Sequence, residues 1–93
     1  FGLVAVEAQA CGTPVVASKV GGLMFSVDDG ASGVLVDGWD PRDHAEAILG
    51  ILTDDARASV MGKTAVEWAE RFSWDNTVSR FLELYSGIVA ARA

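Results

Sequence analysis

Residues 1–18 read Phe1-Gly2-Leu3-Val4-Ala5-Val6-Glu7-Ala8-Gln9-Ala10-Cys11-Gly12-Thr13-Pro14-Val15-Val16-Ala17-Ser18, and the fold class follows from how this stretch divides. Leu3 to Cys11 is rich in Ala and stops at Gly12, as a helix closed by a glycine just past its end does. Gly12-Thr13-Pro14 is a turn. Val15-Val16-Ala17 is then a short, wholly apolar run, the pattern of a parallel strand buried on both faces. Gly2 leaves the start of the helix uncrowded, with its first amides unpaired.

Working outward, Ser18 to Gly22 reads as a loop at the strand's carboxyl end, Leu23 to Val27 as a single helical turn, and Asp28-Asp29-Gly30 as a turn. Gly33-Val34-Leu35-Val36 is a second short apolar strand, closed by Asp37-Gly38. The period then changes from two to 3.6. Asp40 caps a helix with Pro41 at its first position, and Ala45, Ile48, Leu49 and Leu52 form its apolar stripe. A second helical stretch runs from about 54 to 71 with Val60, Met61, Ala65, Val66, Ala69 and Phe72 inward and a break expected near Gly62. Ser73 caps a third helix, on which Trp74, Val78, Phe81, Leu82, Tyr85 and Val89 share a face. Helix, strand, turn, strand, then helices predicts the final portion of a doubly wound α/β domain, whose ligands sit at the carboxyl ends of the strands. Its parts are an α/β part over 1–38, helices over 39–72 and a carboxyl-terminal helix over 73–93. Two strands do not complete a sheet, so further strands are expected upstream. The start at Phe1-Gly2-Leu3, inside a motif and without an initiator Met, gives the same expectation.

Ninety-three residues make one small domain at most. A 51% hydrophobic content and mean hydropathy of +0.30 are high for so short a chain and predict apolar surface that meets another element. The net charge of −6 with seven scattered basic residues disfavours a nucleic-acid binder. The single cysteine, Cys11, rules out an internal disulfide and fits a reducing cytoplasm. No apolar run is long enough to span a membrane, and no basic segment precedes an apolar stretch.

Glu7 stands in the second turn of an otherwise apolar helix, where a carboxylate is costly to bury without partners. On one reading the helix is amphipathic, and Glu7 and Gln9 face water. On the other, the amides of Phe1, Gly2, Leu3 and Val4 and the positive end of the helix dipole form an anion site suited to a diphosphate, with Glu7 as a diol acceptor one to two turns along. A nucleotide sugar lies along a helix in that way. The loop Lys19-Val20-Gly21-Gly22 is either a structural turn or a ligand loop, Gly21 and Gly22 allowing close backbone approach. Lys19 is a phosphate contact or a solvated side chain. His44, the lone histidine, falls on the polar side of its helix, so neither a metal site nor a His-based triad is expected within the chain. Cys11 reads as a small packing residue, Asp28-Asp29 as turn chemistry, and Trp39, Trp68 and Trp74 as packing residues.

Together, Phe1-Gly2-Leu3-Val4-Ala5-Val6-Glu7-Ala8-Gln9-Ala10, Gly12-Thr13-Pro14-Val15-Val16-Ala17 and Val20-Gly21-Gly22 resemble glycosyltransferase family 4, of the GT-B fold. Gly30-Ala31-Ser32-Gly33-Val34-Leu35-Val36 and Phe72-Ser73-Trp74 resemble it as well. The resemblance aligns Glu7 with the second Glu of the family's Glu-x7-Glu motif, which bonds the ribose hydroxyls. The first would fall two residues before Phe1, so no catalytic residue is expected within residues 1–93 and these residues alone are expected to be inactive. Glu7-Ala8-Gln9-Ala10, Val20-Gly21-Gly22-Leu23 and Phe72-Ser73-Trp74 look most like the actinobacterial branch serving mycothiol synthesis. Met24 and Phe25 depart from the family, where Pro and Glu are frequent.

The resemblance implies a retaining enzyme that moves a sugar, N-acetylglucosamine in that branch, from UDP to inositol 3-phosphate. It implies metal independence and no cofactor beyond the UDP-sugar donor. It also implies an amino-terminal domain of the same chain that supplies the acceptor contacts, and in such enzymes the last helix crosses back to that domain. A homodimer is compatible with it. Two other classes share the pattern: a nucleotide-sugar epimerase or hydrolase of the same fold, and a non-catalytic nucleotide-binding module.

Overall fold

A computed structural model describes residues 2–92. The elements follow in the order α1 (Leu3–Ala10), β1 (Val15–Ser18), α2 (Leu23–Ser26), β2 (Gly33–Val36), α3 (Pro41–Leu52), α4 (Asp55–Glu70) and α5 (Trp74–Arg92). β1 and β2 pair in parallel, Val15 opposite Gly33 and Ser18 opposite Val36, and α2 is the single helical turn within their crossover. α1 ends as its glycine predicts. Gly12 sits at φ 81°, its N–H bonds Gln9 O at 2.9 Å, and the Thr13 N–H bonds Ala8 O at 3.0 Å. This paired arrangement satisfies the last carbonyls of the helix. Cys11 lies at that end exposed rather than packed, and it is the next residue, Gly12, whose carbonyl approaches Gly62 of α4.

The core has two parts. Ala5, Val27 and Leu35 pack with Val15, Ala17 and Leu23 between α1 and the sheet. α1 also packs against α4, which buries Met61, Ala65 and Ala69. α4 runs unbroken through Gly62, against expectation. A Cβ there would stand 2.6 Å from the carbonyl oxygen of Gly12, so the glycine serves helix contact rather than a break. Val60, expected inward, is exposed, and Val66 lies at the edge of the contact, its Cγ2 3.7 Å from where a Cβ on Gly12 would stand.

α3 is rotated relative to its predicted stripe. Ile51 is buried and His44, Ala47 and Gly50 are half-buried, while Ala45, Ile48, Leu49 and Leu52 are exposed. Strands about 4.8 Å apart make a two-stranded sheet narrower than a helix about 10 Å across, so one flank of α3 overhangs. Asp40 caps α3, its carboxylate accepting the Arg42 N–H at 2.9 Å and the Arg42 guanidinium at 3.2 Å. The backbone N–H, then the guanidinium, hold the Asp40 carboxyl below its ordinary value of 3.8. A lowered folded-state pKa contributes stability above the unfolded-state pKa, about 3.9, and that contribution is lost as pH falls through the folded-state value. Asp40→Asn keeps a capping oxygen without the titration. In thermal melts of the full-length protein, the wild-type advantage should be present at pH 6 and close below pH about 3.9; a gap that ignores pH would remove the charge from the account.

α5 leaves the body. Ser73 caps it, its hydroxyl accepting the Asn76 N–H at 3.2 Å. Along α5 only Thr77 is even half-buried. Its apolar face is open, with Tyr85 59%, Ile88 45% and Val89 66% exposed. The radius of gyration is 16.3 Å, against about 12 Å for a compact chain of this length. Trp74 and Trp39 are exposed, contrary to their reading as packing residues, because one lies on this unpartnered helix and the other in the loop after β2. No helix among the described residues is long and apolar enough to cross a membrane.

Candidate functional site

The tip of α1 lies beside α2, which follows β1 at the carboxyl end of the sheet. Gly2 holds φ 62° and ψ 46°, and no side chain caps the helix. A Cβ at Gly2 would lie 2.9 Å from Leu23 Cδ2 and 3.1 Å from Ser26 Oγ, so only glycine permits both this backbone and this approach. The amides of Leu3 and Val4 belong to the first turn and have no acceptor within the helix. Phe1, also assigned to this tip, lies outside the described residues. Glu7 is exposed and stands four residues after Leu3 on the same helix face, about 6 Å further along the axis. Leu3, Val4 and Glu7 thus lie along one exposed stretch of helix, entered at the half-buried Gly2.

Gln9 does not accompany Glu7 into solvent. It is wholly buried, and its amide nitrogen donates to Ala5 O at 2.9 Å and to Ser26 O at 2.8 Å. The Ser32 hydroxyl donates to its Oε1 and accepts the Asp28 N–H at 2.9 Å. The Trp68 indole N–H also reaches Ser26 O, at 2.9 Å. The partners lie 17, 23 and 42 residues apart in sequence, which is why helical periodicity missed them. The one signal was Gln9 four residues after Ala5, on a buried face.

The loop after β1 gathers next to this network. The Lys19 N–H continues the ladder to Val36 O at 2.9 Å, leaving the Lys19 side chain exposed. Gly21 has φ 51° with open space around it. The Gly22 carbonyl accepts the N–H groups of Phe25 and Ser26 and the Ser26 hydroxyl, starting α2. Ser18, the last residue of β1, faces His44, with Oγ to Nε2 at 3.0 Å, while Nδ1 lies 3.2 Å from Asp40 O. A carbonyl only accepts, so Nδ1 carries the proton of that contact, and Nε2 pairs with the Ser18 hydroxyl. His44 therefore faces the sheet, not the polar side of α3. Behind it stands a backbone carbonyl rather than a carboxylate, so the pair joins α3 to the end of β1 without forming a triad.

Asp28 and Asp29 are turn residues as expected: Asp28 O accepts the Ala31 and Ser32 amides, and Asp29 Oδ1 accepts the Leu35 N–H at 2.9 Å. A cleft of about 430 Å³ opens between α2, the end of α4 and the start of α5. Lys19, Arg71 and Arg80 line it, three of the seven basic residues of the chain. Arg71 sits 4.0 Å over the Trp68 ring, and Phe25 and Phe72 form part of the wall. Among the described residues no three His, Cys, Asp or Glu side chains are placed to share a metal ion.

Residues 1–68 match the family model described as glycosyl transferases group 1. The chain is 51% identical over 89 residues to a D-inositol 3-phosphate glycosyltransferase of Corynebacterium kroppenstedtii, covering 96% of this chain and 20% of that protein. It is 54% identical over 92 residues to the protein of the same description from Acidothermus cellulolyticus, covering 99% and 20%. Among solved structures, a sucrose-phosphate synthase from Thermosynechococcus elongatus superposes with a TM-score of 0.82 at 46% identity, over 98% of this chain and 23% of that one. The chain thus spans about one fifth of the length of these curated relatives, and its fold is an α/β portion of GT-B architecture.

Proposed function

The chain belongs to the group 1 glycosyl transferases, and from that premise we propose that it forms part of the donor site of a retaining enzyme that moves N-acetylglucosamine from UDP to inositol 3-phosphate. The observation that carries the reading is the uncapped tip of α1 with exposed Glu7 one turn along the same face. The amides of Phe1, Gly2, Leu3 and Val4 receive the diphosphate, aided by the helix dipole. The Glu7 carboxylate accepts hydrogen bonds from both ribose hydroxyls. Gly21 and Gly22, in the loop at the carboxyl end of β1, let the donor approach the main chain.

The acceptor attacks the anomeric carbon from the face the diphosphate leaves, so configuration is retained. Main-chain amides meet the charge developing on the leaving phosphate, a role a metal ion fills in other transferases. The acceptor assignment draws on the description of the relatives above, and the donor sugar on the motif resemblance. The exposed thiol of Cys11 suits a reducing cytoplasm. The acceptor contacts belong to another domain of the full-length protein.

The test is full-length protein incubated with UDP-N-acetylglucosamine and inositol 3-phosphate, with and without EDTA, and products read by NMR. The expected result is UDP and a glycoside of unchanged anomeric configuration at equal rates in both samples. Free sugar or an isomerised donor in place of a glycoside would make the protein a hydrolase or epimerase. UDP binding without turnover would make it a binding module, and loss of rate in EDTA would overturn metal independence.

A further inference from the structure

The carbonyl of Ser26 is held from two sides. Gln9 of α1 donates to it at 2.8 Å and Trp68 of α4 at 2.9 Å. Every polar atom of the Gln9 side chain is engaged, its nitrogen by Ala5 O and Ser26 O and its oxygen by the Ser32 hydroxyl. The amide has one workable orientation, since the reverse would set its oxygen against two carbonyls. Ser26 in turn bonds the Gly22 carbonyl through both its N–H and its hydroxyl, and its side chain abuts Gly2. One buried relay therefore runs from the second turn of α1 through the end of α2 to the glycine loop.

Resting on the donor-site reading above, we propose that Gln9 is a positioning residue for the sugar nucleotide. Through Ser26 it sets the spacing between the tip of α1, which carries Glu7, and the Gly21-Gly22 loop. The α1–α4 packing around Met61 and Ala65 holds the helix in the fold without it. Gln9 fixes where the tip stands relative to the loop, and a displacement of about 1 Å at a reacting site costs up to a hundredfold in rate.

Gln9→Met keeps length and volume and removes the amide, and Ser26 O retains its Trp68 donor. Trp68→Phe removes the other donor and keeps most of the ring. Both variants and the double variant are made in the full-length protein, and activity is assayed well below the melting temperature of each. Gln9→Met should lower kcat/KM for the donor by roughly ten- to a hundredfold and leave acceptor KM unchanged. Trp68→Phe should cost less. The double variant should lose more than the product of the two factors, since each single variant leaves the carbonyl one of these two donors and so only partly loosened.

Equal rises in donor and acceptor KM, or a loss that only tracks the fraction folded, would make Gln9 a folding residue and overturn the proposal. Multiplicative losses would also overturn it. If Gln9→Met does not fold, Trp68→Phe decides on the same split between donor and acceptor. Calorimetric titration of wild type with UDP separates the two levels of inference. Wild type that ignores UDP sinks the donor-site reading itself, whereas wild type that binds UDP alongside a kinetically normal Gln9→Met sinks the role of Gln9 alone.

Discussion

Glu7→Gln in the full-length protein is expected to lower kcat/KM for the sugar-nucleotide donor by roughly tenfold to a few hundredfold, with little change in melting temperature. The side chain is exposed on α1 and packs into neither part of the core, so its replacement leaves the fold alone. A carboxylate accepts a hydrogen bond from each hydroxyl of a ribose diol, and charge-assisted bonds of this kind contribute about 1.5–3 kcal/mol each. Gln keeps the shape but gives up the charge and one acceptor. The loss should fall mainly on donor KM, because the ribose is held alike in the ground and transition states, away from the breaking bond. A solvated Glu on an amphipathic helix predicts no kinetic change at all. Steady-state kinetics with varied donor, read beside a thermal melt, separate the two, and unchanged donor KM and kcat would remove Glu7 from the site.

Gly62→Ala should destabilise the protein, although helix propensity alone predicts the reverse. In a helix interior Ala is favoured over Gly by about 1 kcal/mol. The new Cβ would sit 2.6 Å from the Gly12 carbonyl oxygen, a main-chain atom pinned by the hydrogen bonds that close α1. Relief requires α1 and α4 to part, loosening the contact that buries Met61, Ala65 and Ala69. Overpacking of this kind costs about 1–3 kcal/mol and sometimes more, so the clash wins and Gly62→Leu should be worse still. Gly87 supplies the control. It lies two residues from Tyr85, on the opposite side of α5, with nothing within 4 Å of a built Cβ, and Gly87→Ala should raise the melting temperature slightly. A rise in melting temperature for both variants would mean that α1 and α4 do not meet at Gly12 and Gly62.

Local chemistry was legible wherever it resolved within a few residues. The Gly12 stop, the Asp40-Pro41 start, the Ser73 cap and the places of the two parallel strands stand as read, since caps and turns depend on side chains adjacent to the backbone they satisfy. β1, however, is half-buried rather than buried on both faces, because a two-stranded sheet leaves it partly uncovered. Facing was less legible. The stripe of α3 was read from its own composition, but the narrow sheet selects the flank that carries His44 and Ile51. The open face of α5 was legible because its apolar residues outnumber what two short strands can cover.

The sequence by itself determined the element order, the α/β class, the parallel strand type and the placing of Glu7 one turn beyond an uncapped helix start. All of these follow from periodicity, glycine and proline chemistry, and motif spacing along the chain. Only the tertiary structure decided that Gln9 turns inward to Ser26 and Ser32, that Ser18 meets His44, that Gly62 is a contact rather than a break, and that Trp68 binds where Trp74 does not. Each of these depends on a partner more than fifteen residues away in sequence. A buried polar group is satisfied by whatever donor the fold delivers, and a glycine is required by whatever backbone the fold brings against it.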